Sequence, residues 1–148
     1  MNDRFLSSDE NYKRLKSEYF KYSGKIIVAF DFDNTVYDFH NIGDKFPKMV
    51  QLLQDCRELG MYLIVFSASE QKRYVEISSY LNENNIPFDA INDNAPFAPF
   101  QNREGKIYYN ILLDDRAGLR EAYNLLSQLI YEVKYKKWSS FQTIIDFK

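Results

Sequence analysis

Lys25-Ile26-Ile27-Val28-Ala29-Phe30-Asp31-Phe32-Asp33-Asn34-Thr35 decides the fold. Ile26 to Phe30 is an unbroken apolar run, the pattern of a strand buried on both faces of a parallel sheet, and it stops abruptly at Asp31. The form recurs downstream. Met61 to Phe66 ends in Ser67-Ala68-Ser69, Phe88 to Ile91 follows Ile86-Pro87, and Ile107 to Leu113 ends in Asp114-Asp115. Helical spacing fills the intervals. Tyr12, Leu15, Tyr19 and Tyr22 follow a start at Ser8-Asp9-Glu10, with acids at the positive end of the helix dipole and Gly24 as the stop. Pro47 opens a helix whose buried stripe runs from Met49 through Leu52, Leu53 and Cys56 to Leu59, and Gly60 closes it. Further helices are predicted over Gln71 to Glu83 and Leu119 to Val133, and a last strand over Phe141 to Ile145.

Strands alternating with helices predict a three-layer, doubly wound α/β domain with a mainly parallel sheet. In such sheets ligands bind beyond the carboxyl ends of the strands, where this chain concentrates its polar residues. One domain spans residues 1–148: an N-terminal helix over 1–24, a core over 25–133, and a tail over 134–148.

The composition narrows the field. Nineteen Lys and Arg against 21 Asp and Glu give a net charge of −2, which removes the basic excess that a dedicated nucleic-acid or membrane-surface binder needs. Hydrophobic residues at 45% suffice for a core. No apolar stretch approaches the roughly 20 residues that span a bilayer, and Asn2-Asp3-Arg4 does not begin a signal peptide. A single cysteine, Cys56, excludes an internal disulfide and a cysteine-built zinc site. A cytoplasmic protein without membrane partners is expected.

Several residues at strand ends carry chemistry. Asp31 and Asp33 put two carboxylates near each other, which raises a pKa or recruits a cation. Each acidic pair taken alone reads first as a turn or a cap. Asp114-Asp115 adds hard oxygen donors suited to Mg²⁺. Ser67 and Ser69 could offer a hydroxyl and N–H groups to a phosphate oxygen or simply cap a helix, and Lys106 could neutralise a phosphoryl charge. Lys134, Lys136, Lys137 and Trp138 read as a solvated helix end, Cys56 as core, and His40 as a loop residue.

Together, Asp31-Phe-Asp-Asn-Thr-Val36, Leu63-Ile-Val-Phe-Ser67 and Lys106-Ile-Tyr-Tyr-Asn-Ile-Leu-Leu-Asp-Asp115 resemble the haloacid dehalogenase (HAD) superfamily. The resemblance covers roughly Lys25 to Arg116. Phe88-Asp-Ala-Ile-Asn-Asp93 with Gly105-Lys106 and Asp114-Asp-Arg116 is similar to small bacterial and phage HAD proteins and, more distantly, to 5′(3′)-deoxyribonucleotidases. Asn34 stands where the common motif has Gly, and Asn is the non-Gly residue that best tolerates a left-handed backbone.

The resemblance implies a Rossmann-like HAD core and a Mg²⁺-dependent phosphatase acting through an aspartyl-phosphate. Asp31 would be the nucleophile, and Asp33 the acid toward the leaving oxygen and then the base toward water. Ser67 and Lys106 would hold the phosphoryl group, assisted by Asn34 and Ser69 and, at the rim, by Arg103 and His40. Asp31, the Asp33 backbone carbonyl, Asp114 and Asp115 would hold the metal. The 33 residues between Asp33 and Ser67 and the 38 between Ser67 and Lys106 leave no room for a cap domain. The expected partner is a phosphorylated substrate such as a nucleotide or a nucleic-acid end, with loops 37–46 and 92–105 as partial cover. The alternatives are a phosphotransferase and a non-catalytic HAD-like binding module.

Overall fold

The computed structural model describes residues 3–99 and 105–136. Strands β1 (Ile27–Asp31), β2 (Tyr62–Phe66), β3 (Ala90–Ile91) and β4 (Ile111–Leu113) form one parallel sheet in the order β3-β2-β1-β4. Helices α1 (Ser8–Lys21), α2 (Pro47–Glu58), α3 (Tyr74–Glu83) and α4 (Leu119–Tyr135) flank it. This is the α/β, Rossmann-like three-layer arrangement that the alternating pattern predicts. The chain winds from β1 outward to β3, then returns to add β4 on the other side of β1. The switch in direction therefore lies beside β1, between it and β4, where open sheets of this kind leave a crevice.

Local chemistry sets the element ends. The Ser7 hydroxyl accepts the Glu10 N–H at 3.3 Å and opens α1. Gly24, at φ +82°, donates its N–H to the Tyr19 carbonyl at 2.7 Å and turns the chain into β1. Pro47 occupies the first turn of α2, and the Met61 N–H returns to the Cys56 carbonyl at 3.0 Å just past Gly60. Cys56 is fully buried, and burial pushes its thiol up to about 12, which keeps it protonated and inert.

The two faces of the sheet are covered differently. Val28, Phe30, Leu63, Val65, Ile111 and Leu113 face a large core to which all four helices contribute. On the opposite face Ile27 and Ile64 pack against Ala95 and Ala98, with Ile107, Tyr108 and Tyr109 closing over them. Among the described residues that layer contains no helix; it is the connection from β3 to β4.

Three expected boundaries are corrected. The third strand is confined to Ala90–Ile91, and the third helix begins at Tyr74 after a 3₁₀ turn over Gln71–Arg73. The fourth strand begins at Ile111, not Ile107. The reason is that Ile107 to Tyr109 are drawn onto the second face, and the Asn110 side chain takes over the ladder position, accepting the Ile27 N–H at 2.7 Å. Its amide also donates to Glu18 at 2.8 Å, linking the sheet to α1.

Asn110 is 3% exposed, so its loss leaves the Ile27 N–H buried without a partner. Asn110→Ala is expected to destabilise the domain by about 1–3 kcal/mol, seen as a lower urea midpoint at unchanged slope. Asn110→Asp, which keeps the acceptor but sets a carboxylate against Glu18, should cost a similar amount. A midpoint unchanged in both variants would remove this bond from the account of the fold.

Lys134 pairs with Glu58 at 3.3 Å and Asp55 at 3.7 Å, and Lys136 lies 4.0 Å from Glu132. Lys134 joins α4 to α2 and Lys136 pairs within the end of α4, whereas Lys137, Trp138, Arg103 and the strand expected at 141–145 lie outside the described residues. Among the described residues no helix is long and apolar enough to cross a membrane.

Candidate active site

β1, β2 and β4 all deliver polar residues to the same edge of the sheet. Asp31 ends β1, Ser67 follows β2, and Asp114-Asp115 follow β4. Asp31, Ser67, Asn92, Lys106, Tyr109 and Asp114 line one open cleft of about 490 Å³. The edge-to-face contact of Phe66 and Tyr109, centroids 5.6 Å apart, forms an apolar wall of it. Lys106 is exposed at the rim.

Carboxylate atoms of Asp31, Asp114 and Asp115 lie within 4.8 Å of one another. The buried Thr35 hydroxyl is 3.4 Å from both Asp31 Oδ2 and Asp115 Oδ1, and it accepts the Asp115 N–H at 3.2 Å. It ties the turn after β1 to the turn after β4. Burial, then the hydrogen-bonding approach of Asp115 and the charges of Asp114, Asp115 and Asp33, raise the Asp31 pKa from 3.8 to about 7. A half-buried cluster of carboxylate oxygens is a donor set that fits a hard divalent cation such as Mg²⁺.

The turn itself rests on Asn34. Its φ is +62°, and its N–H donates to the Tyr37 carbonyl at 2.8 Å. The left-handed geometry that Gly would supply is met by Asn, as its short polar side chain allows. Beyond it, the Asp38 carboxylate accepts the N–H groups of Ile42, Gly43 and Asp44 at 2.8–3.2 Å, so the loop is nested on one side chain. His40 is exposed, with its Nε2 3.5 Å from the Asn34 amide.

The chain leaves strand geometry after Asp31, and the Asp33 carboxylate does not group with those of Asp31, Asp114 and Asp115. Arg73 grips both its oxygens, Nη1 to Oδ2 at 3.1 Å and Nη2 to Oδ1 at 3.0 Å, and donates to Ser69 Oγ at 2.6 Å. The expected phosphate-binding N–H groups are also occupied. That of Asn34 is used by Tyr37, and that of Ser69 donates to Ser67 Oγ at 3.1 Å. Neither serine caps α3, because the 3₁₀ turn intervenes and Arg73 holds the cap position. Ser67 and Lys106 remain as side chains lining the cleft.

Arg73 lies outside every motif quoted above, and Asn92 lies within Phe88 to Asp93 without a role read for it there. The Asn92 amide accepts the Ser67 N–H at 2.9 Å and donates to the Ser67 carbonyl at 2.7 Å and to Tyr74 Oη at 2.8 Å. It clamps Ser67 as a neighbouring strand would. The available signal for Asn92 was its place just after the short β3, matching that of Ser67 after β2. Arg73, six residues past Ser67, has no local signature at all.

Phe97 packs edge-to-face on Tyr62 at 5.4 Å, with Lys25 Nζ 5.6 Å from its centroid, so its ring is engaged in local packing. No family model matches the sequence, and no curated protein matches it. Among solved structures the chain is similar to a conserved protein from Bacteroides thetaiotaomicron, at 24% identity and a TM-score of 0.56. The match covers 81% of this chain and 97% of that one, and it is a likeness of fold.

Proposed function

We propose that the chain is a HAD-type phosphoric monoester hydrolase that depends on Mg²⁺ and passes through a phosphoaspartate. The observation that carries this reading is the convergence of Asp31, Ser67, Lys106 and Asp114 on one cleft at the switch point of a parallel sheet, with three carboxylates poised together.

Asp31 attacks phosphorus as the P–O bond to the leaving group breaks, giving an acyl phosphate on its side chain. Asp33 supplies the proton that the leaving oxygen takes up. It then accepts a proton from the water that attacks the same phosphorus, releasing inorganic phosphate and restoring Asp31. Ser67 Oγ donates to a phosphoryl oxygen, and the Lys106 ammonium offsets its charge. Asp31, Asp114 and Asp115, with the Asp33 carbonyl, would hold Mg²⁺. When bound, the ion supplies charge neutralisation between the anionic nucleophile and the anionic phosphate.

The test is hydrolysis of p-nitrophenyl phosphate and of nucleoside monophosphates by the purified chain. Turnover with Mg²⁺ that EDTA abolishes and added Mg²⁺ restores is the expected result. A chain inert toward aryl, alkyl and nucleotide phosphates would favour the binding-module alternative.

A further inference from the structure

Arg73 faces two parts of the molecule. On one side its guanidinium bonds both Asp33 oxygens and Ser69 Oγ. Its other side lies over the rings of Phe32 and Tyr37, with Cζ 5.5 and 5.8 Å from their centroids. Those rings are themselves stacked at 4.8 Å, and Tyr80 meets both edge-on. The same arginine lines a second cavity, of about 370 Å³, between this aromatic group and α3. The guanidinium plane is thus fixed by packing, yet the Arg73 side chain is 25% exposed and open to a solute.

The pairing has a direct consequence for the reaction proposed above, on which this inference rests. While both Asp33 oxygens are bound to Arg73, the carboxylate is anchored to the guanidinium and is not free to turn toward a leaving oxygen. The phosphoryl group itself belongs to Asp31, Ser67 and Lys106. Asp33 serves the leaving group, so its partner Arg73 stands on the leaving-group side of the site. We propose that Arg73 is a latch opened by a second phosphate on the leaving group. That phosphate takes the guanidinium from Asp33 once a substrate is in place and frees the carboxylate to take up from solvent the proton that it passes to the leaving oxygen. The exchange swaps one anion for another on the same cation. The exchange is open to a phosphate because a planar guanidinium grips phosphate oxygens as readily as carboxylate oxygens, and the three N–H bonds that Arg73 spends on Asp33 and Ser69 are ones a phosphate can take over. The preferred substrate class is therefore a phosphomonoester with a neighbouring phosphate, as in a nucleoside bisphosphate or at the phosphorylated end of an oligonucleotide.

Calorimetric titration of the Asp31→Asn protein in Mg²⁺ tests this without relying on turnover. The ligands are a nucleoside 3′-monophosphate, the 3′,5′-bisphosphate of the same nucleoside, and a dinucleotide with a 3′-phosphate. The two ligands with a second phosphate should bind about tenfold more tightly than the monophosphate, the gain of roughly one charge-assisted hydrogen bond. Which of the two binds better separates a small-molecule substrate from a nucleic-acid end. Adding Arg73→Gln should bring all three within about twofold, and Arg73→Lys should keep part of the preference. Adding Asp33→Asn instead removes the competitor and should tighten the two further, a gain that misfolding cannot produce. Equal affinity of the parent protein for all three ligands, no measurable binding of any, or a preference that survives Arg73→Gln overturns the latch. Should the preference hold while the unmodified chain hydrolyses no phosphomonoester, the phosphatase reading fails and the Arg73 anion site stands.

Discussion

Asp31→Asn is expected to lower Mg²⁺-dependent phosphomonoester hydrolysis by at least about 10³-fold, because an amide oxygen cannot form the acyl phosphate. The same substitution should make the metal-free protein more stable, which a merely damaged core would not do. The Asp31 carboxyl has a pKa raised from 3.8 to about 7 by burial and by its acidic neighbours. Between those values the folded chain holds a proton that the unfolded chain has released, so stability falls as pH rises through the window, and the penalty is complete above about pH 7. Removing the charge relieves it. Thermal melts in EDTA should therefore show a rise of about 2–4 °C for Asp31→Asn at pH 8 and little change at pH 4. A melting temperature that falls at pH 8, or activity close to that of the unmodified chain, would contradict the placement of Asp31 at the centre of the cluster.

Asp114→Ala carries the second large effect. Asp114 is half-buried in the cleft, its Oδ1 accepts the Arg116 N–H at 2.9 Å, and a carboxylate oxygen of it lies within 4.8 Å of one of Asp31. Losing one of three clustered carboxylates should weaken Mg²⁺ binding by about 10²-fold, with a comparable loss of activity at limiting Mg²⁺. Proton and cation compete for Asp31 in the unmodified chain. Its Mg²⁺ affinity should therefore climb about tenfold per pH unit up to about pH 7 and level off above. Isothermal titration with Mg²⁺ at pH 6, 7 and 8 reads both effects. Affinity independent of pH, or undiminished in Asp114→Ala, would place the cation elsewhere.

The sheet and the positions of its polar ends were legible because both are written locally. An apolar run that stops at an acid needs only neighbouring residues to be recognised, and β1 and β2 follow the runs that encode them. β4 was overestimated because Ile107, Tyr108 and Tyr109 are as apolar as strand residues, while their burial is against Ile27 and Ile64 on the far face. That is a tertiary preference no local window contains. Asp31, Ser67, Lys106 and Asp114 were readable as a set only through the family resemblance of the motifs that contain them. The Asp33–Arg73 pair was not, since it joins residues forty apart through a turn whose shape depends on Asn34 and the 3₁₀ segment. Thr35 lay within the quoted motif, yet its role between two carboxylates becomes visible only when β4 is laid beside β1.

The unequal covering of the sheet also bears on how the molecule would come apart. Tyr109 belongs to the thin layer over Ile27 and Ile64, and Lys106 adjoins that layer at Ile107, whereas the helices grip the opposite face. Detaching the thin layer exposes far less apolar surface than separating the helices, so it requires less free energy than global unfolding. Under rising denaturant the cleft would lose its lysine wall while the helical signal persists, and inactivation would precede denaturation.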